Sequence, residues 1–234
     1  MKSVSSNIEL KRLTGIKAAD LIHSGMTVGI GTGSTVAFFI EELGRRMKQG
    51  LEIKATATSY QSRILCQQAG IPLVDASFLD KLDIAVDGAD EIDPGLNAIK
   101  GGGAAHTMEK VIASMADRFI LIADETKLVP RLLTSFPLPV EVMPGALSLA
   151  RKRIAALGGE ANIRMAVRKD GPVISENGNF ILDISFGSIP DDLKELDLLL
   201  KDIPGLVETG LFLGMAEMAI IGCKNEVRTI YPAI

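Results

Sequence analysis

The residues best suited to chemistry lie in one stretch, VDGADEIDPGLNAIKGGGAAHTMEK, from Val86 to Lys110. It holds five acids (Asp87, Asp90, Glu91, Asp93 and Glu109), two lysines and the run Gly101-Gly102-Gly103. Four of the acids fall within seven residues, close enough to repel and to raise one another's pKa. Three readings compete. A calcium loop would need D-x-[DN]-x-[DN]-G, which is absent. A solvated turn would tolerate the acids but has no use for the glycines that follow. A polar catalytic rim uses both and is the reading we favour. Lys100 and the glycines lead into a helix, so they offer one cation and several free N–H groups to a developing oxyanion. Glu109 sits on that helix, on the flank of an apolar stripe of Met108, Val111, Ile112 and Met115. Partial burial there would raise its pKa and make it a better base. The competing reading is a surface glutamate paired with a nearby lysine.

In open parallel α/β sheets, ligands bind outside the carboxyl ends of the strands. Three strand-like runs end in polar residues. LDIAV is followed by Asp87-Gly88-Ala89-Asp90, and RFILIAD by Glu125-Thr126-Lys127. MTVGIG is followed by Thr32-Gly33-Ser34-Thr35, a glycine-rich turn before a helix. Such a turn presents N–H groups and hydroxyls to a phosphate. The dinucleotide pattern G-x-G-x-x-G fails here, since the third glycine is Ser34 or Val36, and no Gly-Lys-Ser/Thr follows for a P-loop. A small phosphorylated ligand fits. So does a tight turn with Ser34 as helix cap, and the turn alone does not separate the two. Lys127 is either a second cation at the crevice or an ordinary exposed lysine. His106 reads as a surface or pocket-wall bystander. Tyr60 and Arg63 are weaker candidates for the same crevice.

The elements that must position these residues alternate. Helical spacing runs from Asn7 to Gly25, where Gly25 reads as the stop. MTVGIG is a strand, STVAFFIEELGRRM a helix, EIKATAT a strand, and SYQSRILCQQAG a helix ending at Gly70. LDIAVDGAD is a buried strand, AAHTMEKVIASMAD a helix and RFILIAD a strand. This order predicts a parallel sheet covered on both faces. From Phe136 the order is PLPVEV, the helix GALSLARKRIAALGG, the strands NIRMAVR and NFILDISF, the helix DDLKELDLLLKDI, and LVETGLF as a strand. That β-α-β-β-α-β order is ferredoxin-like. MAIIGCKNEVRTI supplies two more short strands that can return to the first sheet. The fold class is therefore α/β, a Rossmann-like parallel sheet with a smaller ferredoxin-like α+β domain. The predicted division is 1–135 plus 210–234 for the larger domain and 136–209 for the smaller.

Composition narrows the classes. The 234 residues are 47% hydrophobic, enough for a sizeable core. A net charge of −4 leaves no broad basic field for nucleic acid. Met1 to Gly25 is polar and mixed in charge, unlike a signal peptide. No run approaches the roughly 18 apolar residues of a membrane span. Cys66 and Cys223 match no metal spacing and read as reduced thiols of a cytosolic protein. Two histidines disfavour a histidine-rich metal site.

Together, four motifs resemble the type A family of ribose-5-phosphate isomerases. They are Thr32-Gly33-Ser34-Thr35, Asp87-Gly88-Ala89-Asp90-Glu91, Lys100-Gly101-Gly102-Gly103 with Glu109, and Phe136-Pro137-Leu138-Pro139-Val140-Glu141-Val142. The closing GLFLGMAEMAIIG is also similar, so the resemblance spans essentially the whole chain. It implies a homodimer or homotetramer of the pentose phosphate pathway, and the reduced thiols add the expectation of a cytoplasmic location. The implied reaction interconverts D-ribose 5-phosphate and D-ribulose 5-phosphate without metal or cofactor. Carried over, Glu109 matches the general base, Lys100 with Gly101 to Gly103 the oxyanion turn, and Asp87 and Asp90 the pair that handles sugar hydroxyls and ring opening. Thr32 to Thr35 match part of the ligand loop, Asp87-Gly88-Ala89-Asp90 line it, and Lys127 and Lys11 match ligand and phosphate contacts. The segment after ATATS departs from the family pattern, which leaves Tyr60 and Gln61 unassigned. Two rivals remain. A sugar-phosphate sensor would keep the turn, need no base and usually carry a DNA-binding segment, for which 25 N-terminal residues are too few. A metal-dependent aldose–ketose isomerase would need ligands that two histidines do not supply.

Overall fold

A computed structural model describes residues 2–224 and 226–233, with side chains from Ile8 onward. The chain runs α1 (Lys2–Ala19), β1 (Thr27–Ile30), α2 (Ser34–Met47), β2 (Lys54–Ala57), α3 (Tyr60–Ala69) and β3 (Ile84–Asp87). Two short strands follow, β4 (Glu91–Ile92) and β5 (Ala98–Ile99), then α4 (His106–Met115) and β6 (Phe119–Asp124). Next come β7 (Leu138–Val142), α5 (Leu147–Ala156), β8 (Gly159–Ile163), β9 (Phe180–Phe186) and α6 (Leu193–Lys201). The last strands are β10 (Leu206–Thr209), β11 (Leu211–Phe212), β12 (Met218–Cys223) and β13 (Glu226–Ile230).

The main sheet has the order β13-β12-β6-β3-β1-β2. All its pairs are parallel except β12 with β13. β3, β6 and β12 are buried throughout, as continuous apolar runs in a doubly covered sheet should be. One face packs Val28, Ile30 and Val86 with Phe39 and Leu43 of α2. The other packs Ala85, Leu121 and Ile221 with Ile112 and Ala113 of α4. The chain leaves β1 to build β2 on one side and β3 on the other, so the order reverses between β1 and β3. A crevice forms at such a switch point.

Two glycines of the GIGTGST run serve this packing. A Cβ on Gly29 would stand 2.6 Å from the Ile112 side chain, so the bare backbone lets α4 settle on the sheet. A Cβ on Gly31 would stand 2.0 Å from Asp87 Oδ1. Neither position tolerates a side chain, whatever ligand the turn binds.

The second sheet is antiparallel with the order β10-β7-β9-β8. Numbered within its own segment this is 4-1-3-2, the ferredoxin-like arrangement. Val140, Leu182 and Ile184 pack there on Ala150 and Ile154 of α5 and on Leu196 and Leu200 of α6. A small third sheet, β11-β5-β4, supplies Ile99 and Leu211 to this core and Ala98 and Phe212 to the core under α4.

Several elements differ from the sequence expectation. The first helix ends at Ala19, not at Gly25. The N–H groups of Asp20, Leu21 and Ile22 turn back to Lys17, Ala18 and Ala19, and this tightening carries Ile22 into the core. The strand placed on NIRMAVR is Gly159–Ile163 instead, because Met165 and Val167 are exposed and do not continue the buried face. LVETGLF divides between two sheets at Gly210, whose N–H donates to the Pro139 carbonyl (2.7 Å) and whose carbonyl accepts from Lys100 N–H (2.9 Å). A Cβ there would meet the Lys100 carbonyl at 2.2 Å.

The acid cluster also divides. Glu91 is fully buried, and its carboxylate accepts from the N–H groups of Leu133 (2.6 Å), Ser135 (2.5 Å) and Phe136 (2.8 Å) and from Ser135 Oγ (2.8 Å). Asp93 accepts from the backbone and side-chain nitrogens of Asn97 and shapes the β4–β5 turn. Both are structural. Removing Glu91 would leave these donors facing a void. Glu91→Ala is therefore expected to lose about 3 kcal/mol, in the range for breaking a buried charged network. Urea unfolding measures it, and a loss below about 1 kcal/mol would contradict this role.

Candidate active site

The crevice at the switch point is a pocket of about 290 Å³. Its floor is a buried triad. Asp87 ends β3, Lys100 follows β5, and Glu109 lies in the first turn of α4. Lys100 Nζ stands 3.1 Å from Asp87 Oδ2 and 3.0 Å from Glu109 Oε2, and it donates to the Gly88 carbonyl at 2.6 Å. All three side chains are at most 5% exposed. The Phe212 ring covers the ammonium at 5.4 Å from its centroid.

Electrostatics follow from that geometry. Two carboxylates and one ammonium leave a buried net charge of −1, which favours uptake of one proton. Burial first, then the charge of Asp87, pushes Glu109 up to about 8, against the pull of Lys100. Burial likewise raises Asp87, although Lys100 and the N–H groups of Thr32 and Gly88 pull it down. Burial disfavours the Lys100 ammonium, but Asp87 and Glu109 together hold its pKa above the ordinary value. Glu109 Oε2 lies at ion-pair distance yet accepts no aligned hydrogen bond. A carboxylate with a free lone pair and a raised pKa is equipped to take up a proton.

Asp87 Oδ1 is fully engaged, accepting from Thr32 N (3.0 Å) and Gly88 N (2.7 Å). Asp90 lines the pocket, and its Oδ2 accepts from Gly102 N at 2.8 Å. Gly101, Gly102 and Gly103 form the opposite lip. Gly101 has φ +113°, and a Cβ on it would stand 2.7 Å from His106 Nδ1.

The other end of the pocket suits an anion. Thr32, Gly33, Ser34 and Thr35 line it at the N-terminus of α2, where N–H groups point outward. Ser34 is not the helix cap. Gly33, at φ +134°, occupies that position, and Ser34 Oγ accepts from Lys11 Nζ at 3.0 Å. Thr32 Oγ1 bonds Thr58 and Ser59 at the end of β2, so it ties two strand ends together. Lys11, Gly88, Ala89 and Lys127 complete this wall.

The structure thus brings the sequence-predicted site residues to the lining of one pocket, except Asp87, which is buried beneath it against Lys100. It does not bring the weaker candidates. Arg63 pairs with Asp75 at 3.7 Å and stacks on Tyr60, both outside the pocket. His106 is fully buried, neither on the surface nor in the pocket wall, and burial drives its pKa down to about 4. Gln61, left unassigned from sequence, lines the pocket, and sequence reasoning missed Val36, Ile122, Ala123 and Asp124 there. The signal of the last three was present, since they end the run RFILIAD at a carboxyl edge.

The raised Glu109 has a stability consequence. Its folded pKa of about 8 exceeds the ordinary 4.5, so between these values the folded state keeps a proton that the unfolded chain releases. Folding stability therefore falls as pH rises through that window. Glu109→Gln removes this penalty. The variant should melt at least about 2–4 °C above the wild type at pH 9, equivalent to about 1 kcal/mol for this size. The gap should narrow steadily toward pH 4.5. Melting curves that show no pH-dependent gap would contradict the raised pKa.

Comparison with known proteins follows the same lines. The family model for ribose 5-phosphate isomerase A (phosphoriboisomerase A) matches residues 54–226. Ribose-5-phosphate isomerase A of Methanosarcina acetivorans is 50% identical, with 98% of this chain and 97% of that protein covered. The Thermosynechococcus vestitus protein of the same name is 49% identical, covering 95% and 97%. Among solved structures, ribose 5-phosphate isomerase A from Methanocaldococcus jannaschii superposes with a TM-score of 0.92 at 42% identity, covering 96% of this chain and 99% of that one. A D-ribose-5-phosphate isomerase in complex with phospho-erythronic acid gives a TM-score of 0.92 at 43% identity, covering 95% and 98%.

Proposed function

The chain belongs to the ribose 5-phosphate isomerase A family and interconverts D-ribose 5-phosphate and D-ribulose 5-phosphate, and we propose that it does so through an enediolate with Glu109 as the proton carrier. The observation that carries this mechanism is the triad: a buried carboxylate with a raised pKa and an unbonded oxygen, beside a buried ammonium.

The chemistry needs three things. The C2 proton of the open-chain aldose is weakly acidic until the neighbouring carbonyl oxygen can accept negative charge. A base must take it, donors must hold the charge, and the same base can return the proton to C1. Glu109 is the base. The Gly103 N–H of the lip, whose neighbour Gly102 N–H is taken by Asp90, and the charge of Lys100 stabilise the enediolate. The ion pairs of Lys100 with Asp87 and Glu109, anchored by its hydrogen bond to the Gly88 carbonyl, give it a second task, holding both carboxylates in place. Asp87 and Asp90 handle ring opening and the proton transfer between O1 and O2. The phosphate lies on the α2 N-terminus, held by Ser34, Thr35, Lys11 and Lys127.

Residues 1–135 with 210–234 then form the catalytic domain, and 136–209 the smaller domain. The family resemblance also supports a homodimer or homotetramer, and the reduced thiols a cytoplasmic location. Among the described residues, no helix is long and apolar enough to cross a membrane.

Glu109→Gln tests the base directly. Its kcat should fall by at least about 10²-fold, the contribution typical of a positioned base. Binding of phospho-erythronic acid, measured by calorimetry, should be largely kept. A variant retaining more than about a tenth of wild-type kcat would remove Glu109 from this role.

A further inference from the structure

We propose that Arg164, on the smaller ferredoxin-like sheet, is a positioning residue for the reaction, acting by locking the peptide planes of the Gly101–Gly103 lip. The proposal rests on reading that lip as the oxyanion site.

Arg164 follows β8 at the base of an excursion that returns in β9. Its guanidinium faces two ways. Nε donates to Asp183 Oδ2 at 2.8 Å, and Nη2 donates to Asp183 Oδ1, a bidentate pair with a neighbouring strand. Nη1 donates to the carbonyl of Gly101 at 2.7 Å and to that of Gly102 at 3.1 Å. The side chain is only 16% exposed. The fork geometry fixes the second set of bonds once the first is made, which a lysine could not do.

The consequence lies in the planarity of the peptide bond. The Gly101 carbonyl and the Gly102 N–H belong to one plane. Arg164 holds its oxygen, and Asp90 Oδ2 holds its N–H at 2.8 Å, so that plane is pinned at both ends by opposite charges. The Gly102 carbonyl and the Gly103 N–H belong to the next plane. With its oxygen on Arg164, a trans peptide turns the Gly103 N–H away from the guanidinium. Gly103 lines the pocket, and among the described residues its N–H has no backbone acceptor.

Without Arg164 the Gly101 carbonyl keeps only the turn bond from Ala104 N–H (2.9 Å), and the Gly102 carbonyl loses its side-chain donor. Gly101 sits at φ +113°, and glycines interconvert between conformations readily. Asp90 restrains only one plane. The smaller sheet grips the adjoining helix as well, since Glu141 of β7 accepts from Thr107 of α4 and from Ser175, Asn177 and Asn179 of the excursion. The base and the oxyanion lip are thereby referenced to one rigid body.

Transition-state donors act on kcat, whereas ground-state binding contacts act on KM. Arg164→Met keeps the stem and removes the fork. Its kcat for ribose 5-phosphate should fall about 10-fold or more, as expected of displaced donors. Its KM should stay within about threefold, because the phosphate end is untouched. Asp183→Asn weakens the lock but leaves Arg164 present, and should show a smaller fall of the same kind. A folded Arg164→Met enzyme with kcat within about twofold of wild type would overturn the proposal, as would a loss carried by KM. Should Arg164→Met fail to fold, Asp183→Asn decides: lowered kcat at unchanged KM supports the lock, and unchanged kcat overturns it. Active wild type and an inactive Glu109→Gln test the reading of the site separately, so failure of the lock leaves that reading standing.

Discussion

The interaction on which the structure turns is one ammonium group buried between two carboxylates. Lys100 reaches Asp87 and Glu109 from a different chain segment in each case, and all three are shut away from water. Charges at that depth are tolerable only when paired. Pairing two acids with one lysine leaves a deficit of one positive charge, and this deficit, together with burial, lifts Glu109. The site therefore trades stability for a proton carrier, a common arrangement in active sites.

Much of the surrounding fold exists to allow that approach. Gly31 gives way to Asp87, Gly29 to the helix that bears Glu109, and Gly210 to the backbone of Lys100. Each glycine leaves a space that a single methyl group would fill. Phe212 then closes the triad from below, and Lys110 lies over the same ring at 5.0 Å. The crevice sits where the order of the main sheet reverses, so that carboxyl ends of β1, β3 and β6 all open on it.

How much of this the sequence revealed depends on local signals. Buried parallel strands read as apolar runs, so MTVGIG, LDIAV and RFILIAD were found with their polar ends, and the pocket residues followed from those ends. β4 and β5, two residues each, carry no periodicity to detect. Glu91 and Asp93 belong to the same acid cluster as Asp87 and Asp90, and charge density does not reveal that Glu91 binds backbone more than 40 residues away or that Asp93 caps a turn with Asn97 four residues on. GIGTGST reads equally as a phosphate turn or a tight strand–helix turn, and two of its glycines serve packing. The Arg164 bonds to the glycine lip left no trace at all, since they join residues more than 60 apart in the chain.

The central claim is that one carboxylate lifts the C2 hydrogen as a proton and returns it to C1. Isomerisation of ribose 5-phosphate in D₂O, followed by NMR or mass analysis of the ribulose 5-phosphate formed, tests this most directly. The account predicts deuterium at C1. Partial incorporation meets the expectation, because a shielded Glu109 returns some of its own proton before exchange with solvent. Absence of deuterium at C1 even after the mixture is held at equilibrium through many reversible turnovers would mean direct transfer of hydrogen from C2 to C1, and would contradict a proton carried by Glu109.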